Sequence, residues 1–168
     1  GSKAVAEHPQ MNRAIAKPSE FTPAVADLFA KLVPQYFAPE EFAIVTGGAD
    51  VGQAFSQLPF DHVIFTGATG IGKHIMRAAA DNLVPVTLEL GGKSPVIVGQ
   101  SADLSDVAGK VAQGKLMNAG QICLAPDYVL IDGAREQKLV DELVSSASAM
   151  YPTILDNNDY TAVVNDRH

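Results

Sequence analysis

Short β-branched apolar runs alternate along the chain with longer stretches in which apolar residues recur every three or four positions. That alternation predicts strand–helix–strand order. "RAIAK" (13–17) reads as a short strand. "FTPAVADLFAKLV" (21–33) has helical spacing at Val25, Leu28, Phe29 and Leu32. Pro23 falls in its first turn, where a missing N–H costs nothing. "FAIVTGG" (42–48) reads as a strand ending in glycines, and Asp50 is placed to cap a helix through about Leu58. "HVIFTG" (62–67) is apolar enough for a strand of a parallel sheet buried on both faces. A helix from about Gly70 to Asn82 is expected to gather Ile71, Ile75, Met76 and Ala79 on one side.

"VPVTLEL" (84–90) is a strand closed by Gly91-Gly92, and "PVIVG" (95–99) is another. Asp103 opens a helix to about Asn118, "GQICLA" is a loop, "PDYVLID" (126–132) a strand and "REQKLVDELVSSASAM" (135–150) an amphipathic helix. The tail from Tyr151 is expected to be mostly irregular. This order predicts an α/β fold, a Rossmann-like parallel sheet with helices on both faces. Gly91-Gly92 is the best candidate boundary, separating residues 11–90 from residues 91–168. Residues 1–10 resemble a tag or linker, and Gly1-Ser2 an expression scar.

Composition narrows the function classes. The 168 residues are 47 % hydrophobic, enough for a real core and too apolar for disorder. A net charge of -7 argues against nucleic acid and anionic membrane, both of which select basic surface. No run approaches the ~20 apolar residues of a membrane span, and the first ten residues lack a signal-peptide pattern. One cysteine, Cys123, excludes an internal disulfide and a cysteine-rich zinc site, so a reducing cytoplasm is the expected compartment. His8, His62, His74 and His168 show no ligand spacing, and no metal is assigned.

Four stretches carry candidate chemistry. "FTGATGIGKH" (65–74) follows a buried strand and precedes a helix, so its N–H groups can face an anion. It has the G-x-x-x-x-G-K of a P-loop, but His74 stands where magnesium needs a hydroxyl. G-x-G-x-x-G is also absent, which leaves a dinucleotide loop or a plain glycine turn. In "LELGGKSP" (88–95), Glu89 lies within an apolar strand. It is either a carboxylate whose pKa burial raises or a strand-end residue reaching water. In "MNAGQICLAPDY" (117–128), Cys123 lies on a turn, not in a core run. A lone cysteine is ordinarily a small buried hydrophobe. A loop thiol together with a carboxylate base would instead suit acyl-enzyme chemistry. In "AKPSE" (16–20), Lys17 and Glu20 could hold a ribose diol or form a surface ion pair.

In this order, "KPSE", "FTGATGIGK", "LELGGKSP" and "GQICLAPDY" resemble the aldehyde dehydrogenase superfamily, over about residues 12 to 168. "APDYVL" and the closing "NDRH" are most similar to the class 3 and coniferyl aldehyde dehydrogenase branch. The resemblance implies NAD(P)+-dependent oxidation of an aldehyde, aromatic or long-chain, to a carboxylic acid. It makes Cys123 the nucleophile that passes through a thiohemiacetal and a thioester. It makes Glu89 the base that activates water, and the Cys123 N–H one oxyanion donor. Lys17 and Glu20 match the adenosine-ribose contacts, and Gly67 and Gly72 the glycines of the pyrophosphate turn. A carboxylate at Glu20 repels a 2′-phosphate, favouring NAD with NADP still open.

The resemblance also implies departures. Ala68 stands where the family often has a hydroxyl or amide, and Gly70 weakens the first helical turn by up to about 1 kcal/mol. The family's upstream oxyanion Asn, its later Glu-Ile-Phe-Gly-Pro-like segment and its oligomerisation strands have no counterpart in this sequence. The chain is therefore expected to be a fragment of a homo-oligomeric enzyme. Residues 11–90 would be its dinucleotide-binding part and 91–168 the start of its catalytic domain. Weak turnover by itself and exposed apolar faces are expected.

Overall fold

The computed structural model describes residues 13–166. Strands and helices alternate as the periodicity predicts: β1 (Ala14–Ala16), α1 (Pro23–Leu32), β2 (Phe42–Ile44), α2 (Ala49–Ser56), β3 (Val63–Gly67), α3 (Thr69–Ala80), β4 (Val86–Leu90), β5 (Ser94–Ile97), α4 (Leu104–Leu116), β6 (Pro126–Leu130) and α5 (Glu136–Met150). Every strand pair is parallel. Among the described residues the strands form three separate two-stranded ladders, β1–β2, β3–β4 and β5–β6, not one continuous sheet. Each ladder is a β-strand, a crossover helix and a second β-strand, because parallel neighbours cannot be joined by a tight turn. The chain divides between Leu90 and Gly91 into two compact units.

In the first unit, α1 buries a different face from the one its large apolar residues suggest, and α3 buries only part of the expected side. Along α1 and the 3₁₀ turn after it, Ala26 and Val33 are buried and Ala30 is half-buried. Val25, Leu28 and Phe29 are each about half exposed, at 51, 54 and 51 %. Small side chains on the inner face let a helix approach a strand closely, and the larger ones are displaced outward. In α3 the expected side is buried in part. Gly72 and Ala79 are buried and Ile75 is half-buried, whereas Ile71 and Met76 stay exposed. A methyl group on Gly72 would lie 2.8 Å from Leu90 Cδ2. Val63, Ala79 and Val84 form the core here, flanked by Phe60, Ile75 and Val86. Val63 of β3 is buried, and Ile64 and Phe65, on opposite faces of the strand, are only half-buried.

Helix ends follow local chemistry with two exceptions. Asp103 caps α4 by accepting from the Asp106 N–H at 2.9 Å. Asp50 does not cap α2: Gly48 holds that position and Asp50 lies in the first turn, where its charge still suits the helix dipole. The end of α3 carries a Schellman pair, Val84 N–H to Ala79 O at 2.9 Å and Leu83 N–H to Ala80 O at 3.1 Å. Leu83, not glycine, takes the left-handed position at φ 55°.

The second unit centres on Val98, Leu104, Ala108 and Leu139, where β5, α4 and α5 meet. The Arg135 guanidinium donates to Gly99 O and Gln100 O, each at 2.9 Å, and to Ala102 O. It thereby ties the start of α5 to the loop between β5 and α4. The tail beyond Met150 has no regular elements, as expected, but it is not featureless. Tyr151 and Tyr160 pack edge to face with centroids 4.8 Å apart.

Candidate functional site

The first unit brings Lys17 and Glu20 together. Lys17 follows β1, and its Nζ donates to Glu20 Oε2 at 3.1 Å and to Pro18 O at 3.0 Å. The lysine stem is largely buried, 9 % exposed, and lies over α2 at Gly52, where a methyl group would be 3.4 Å from Lys17 Cε. Glu20 is held below its ordinary pKa, first by a backbone hydrogen bond and then by the bond from Lys17. Beside this pair opens a cleft of about 270 Å³ lined by Pro18, Glu20, Ala26, Asp27, Thr46 and Gly47 among others. Gly47 has φ 148°, and a methyl group there would sit 2.5 Å from Val51 Cγ2. No side chain fits that position.

Gly67 ends β3 and Ala68 is extended, so the chain turns directly into α3. The first helical bond runs from the Gly72 N–H to Ala68 O. The N–H groups of Thr69, Gly70 and Ile71 lie ahead of it, as they do at any helix start. Gly72 is not part of the turn; it is a buried helix residue that lets α3 approach β4. Lys73 and His74 are exposed. Glu89 lies on β4 opposite Thr66, one step from the turn, since Gly67 pairs with Leu90. It is exposed, and the side chain reaches water as a strand-end residue does.

The second unit holds Cys123 on an exposed turn. The turn closes with Ala125 N–H to Ile122 O at 3.1 Å. Cys123 is a central residue of it, and among the described residues no protein group accepts from its N–H. Ahead of the turn, Asn118, Ala119 and Gly120 all have positive φ, at 51°, 53° and 74°. For Ala119 this costs about 1–2 kcal/mol, and less for Asn118, whose side chain bonds locally, so surrounding contacts must hold it.

Three contacts frame this turn, and local sequence patterns did not reveal them. A methyl group on Gly92 would lie 3.1 Å from the Cys123 carbonyl oxygen. Lys93 Nζ donates to Asp127 Oδ1 at 3.0 Å. In the β5–β6 ladder Ser94 pairs with Pro126 and Pro95 with Tyr128, leaving Asp127 as a bulge without an opposite residue. The glycine-rich segment after β4 and the cysteine segment are therefore neighbours. The third contact is the Gln121 side chain, which reaches the tail at Ala162 and Val164. "GGK" and "APD" as motif residues were the available signal for the first two.

Among the described residues no cluster of three or more His, Cys, Asp or Glu could hold a metal ion. No helix among them is long and apolar enough to cross a membrane. Asn12, His8, Arg167 and His168 lie outside the described residues.

The model of the aldehyde dehydrogenase family matches residues 9–168. A probable coniferyl aldehyde dehydrogenase of Caulobacter vibrioides is 59 % identical over 157 residues, covering 94 % of this chain and 32 % of that protein. The substrate-bound state of Staphylococcus aureus AldH aligns with a TM-score of 0.85 at 41 % identity, covering 92 % of this chain and 34 % of that one. An indole-3-acetaldehyde dehydrogenase complexed with NAD+ aligns with a TM-score of 0.76 at 31 % identity, covering 82 % of this chain and 29 % of that one. The chain thus spans about a third of the length of the curated relatives it matches. Its α/β architecture and its sequence over residues 9–168 agree: the chain belongs to the aldehyde dehydrogenase family.

Proposed function

We propose that this chain carries the nucleophile and part of the cofactor cradle for NAD(P)+-dependent oxidation of an aldehyde, aromatic such as coniferyl aldehyde, to the carboxylic acid. The observation that carries the reading is Cys123: an exposed thiol at the centre of a turn, with its own N–H given to no acceptor among the described residues. The Cys123 sulfur, as thiolate, attacks the carbonyl carbon, and the new alkoxide accepts from the Cys123 N–H. Bound NAD(P)+ supplies the acceptor for the hydride that leaves this carbon. The carbonyl then re-forms as a thioester on Cys123. Glu89 takes a proton from water, the hydroxide adds to the thioester, and the C–S bond breaks to return the thiolate. The exposure of Glu89 suits contact with water.

The cradle residues fit a dinucleotide. Glu20, whose pKa is lowered first by a backbone hydrogen bond and then by the bond from Lys17, can accept from ribose hydroxyls, and its charge disfavours a 2′-phosphate, which favours NAD over NADP. The Thr69, Gly70 and Ile71 N–H groups suit a pyrophosphate, and at Gly67, which ends β3 ahead of them, the Phe65 ring fills the place a side chain would take. The single thiol supports a reducing compartment such as the cytoplasm.

The test is intact-mass detection of a Cys123 adduct after mixing the chain with NAD+ and coniferyl aldehyde. An acyl adduct, the aldehyde mass less two hydrogens, is expected, and it should accumulate further in Glu89→Gln. Steady turnover by these 168 residues alone is expected to be slow. An adduct elsewhere, or none, overturns the reading. Dinucleotide binding without catalysis is the second reading, favoured by the preformed Lys17–Glu20 pair. It predicts an NAD-induced melting shift that survives Cys123→Ser and Glu89→Gln together, with no adduct in the unaltered chain.

A further inference from the structure

We infer that Gln121 is a positioning residue for Cys123: its carboxamide clasps the 162–164 segment to the cysteine turn and so sets how the thiol is presented. The inference rests on the reading of Cys123 as the reactive thiol.

Every hydrogen-bonding group of the Gln121 carboxamide is used. Nε2 donates to Asn118 O at 3.0 Å and to Ala162 O at 3.3 Å. Oε1 accepts from the Val164 N–H at 3.0 Å. The O/N assignment follows from the partners, since two carbonyls require a donor and one N–H requires an acceptor. Accepting at 164 and donating at 162 is the pattern that the N–H and C=O of one residue make in a parallel bridge. The side chain thus pairs with a piece of chain more than forty residues away as a strand would.

The other end of the clasp holds the strained segment. The Gln121 N–H also donates to Asn118 O at 3.0 Å, and Asn118 Nδ2 returns a bond to Gln121 O at 3.3 Å. Asn118, Ala119 and Gly120 are the left-handed residues, and side-chain-bearing residues adopt that conformation only where the surroundings over-determine it. Gln121 bonds reciprocally across that segment, lies two residues before Cys123, and is half-buried. Releasing the tail leaves the left-handed segment with fewer constraints, and the thiol follows.

The experiment compares Gln121→Ala, Gln121→Glu and Val164→Pro in the full 168-residue chain. Glutamate keeps the shape but has no donors, so it separates hydrogen bonding from packing. Proline removes the N–H donated to Gln121 Oε1 at a site remote in sequence from the thiol. Two quantities are read: hydrogen exchange at the Val164 amide in the two Gln121 variants, and the rate of Cys123 labelling by iodoacetamide against pH in all three. Exchange is expected to quicken by about tenfold or more. Labelling is expected to change by about threefold or more, in the same direction in all three, with a displaced pH midpoint. The Gln121→Ala/Val164→Pro double variant is expected to change no further than either single one. Unaltered exchange at Val164 means no clasp, and unaltered labelling means the clasp does not position the thiol; either overturns the inference. If Gln121→Ala fails to fold, Val164→Pro decides the labelling question alone. Neither readout needs aldehyde or cofactor. A failed clasp with a normal acyl adduct is thus distinct from a failed nucleophile reading with the clasp intact.

Discussion

Gly92 presses against the Cys123 carbonyl: a methyl group added to its α-carbon would come to 3.1 Å of that oxygen. This is tighter than nearly all such contacts, so the cysteine turn would have to yield by a few tenths of an ångström. Gly92 does not have positive φ, which means alanine is resisted by this contact and not by its own backbone. Gly92→Ala is therefore expected to leave the circular-dichroism spectrum unchanged while slowing acyl-adduct formation on Cys123 by about tenfold, given how strongly rate depends on placement. Adduct formation at the unaltered rate would show the contact to be slack.

Leu83 offers a stability test. It occupies the left-handed position of the Schellman pair, and it is 90 % exposed, so its side chain contributes almost no packing. Replacing it with glycine removes the left-handed cost and adds some entropy to the unfolded chain. The net expectation for Leu83→Gly is a gain of about 0.5–1 kcal/mol, read as a higher urea midpoint. A lower midpoint would mean that the backbone strain is already relieved.

Arg135 offers the opposite case. One planar guanidinium serves three carbonyls of the β5–α4 loop. An ammonium cannot reproduce that fork. Arg135→Ala is expected to destabilise the second unit by about 1–3 kcal/mol, and Arg135→Lys to recover less than half of that. Equal stability of the Lys variant and the unaltered chain in denaturant titration would refute the role given to the fork.

The Lys17–Glu20 pair sets a pH dependence. Folding lowers the Glu20 pKa. Its contribution is therefore full above the unfolded glutamate pKa and is lost as pH falls through the lower, folded value. An NAD-induced melting shift is expected to persist from neutral pH into the ordinary glutamate range and to fade only below it. In Glu20→Gln the shift is expected to be smaller, without that acid limb. An identical acid limb in the Gln variant would assign the titration to another group.

Much of this molecule is legible in its sequence. The order of strands and helices, the Asp103 cap and the turn that carries Cys123 all depend on neighbours within a few residues, and periodicity reports such neighbours directly. The match of "KPSE", "LELGGKSP" and "GQICLAPDY" to one family likewise needed no coordinates.

Other features depended on which element packs where. The large apolar residues of α1 pointed to one face as the inner one, but Ala26, Ala30 and Val33 hold it, because burial is decided by the distance at which a strand is met. Gly72 lies inside α3 and lets the helix approach Leu90, a packing role that its place in the motif did not announce. Contacts across long sequence separations leave no periodic trace at all: Gly92 against Cys123, Lys93 with Asp127, Gln121 with Ala162 and Val164. The sequence by itself determined the elements, their order and the family. Only the tertiary structure decided which faces are buried and what holds the thiol's turn, because those depend on distances between residues remote along the chain.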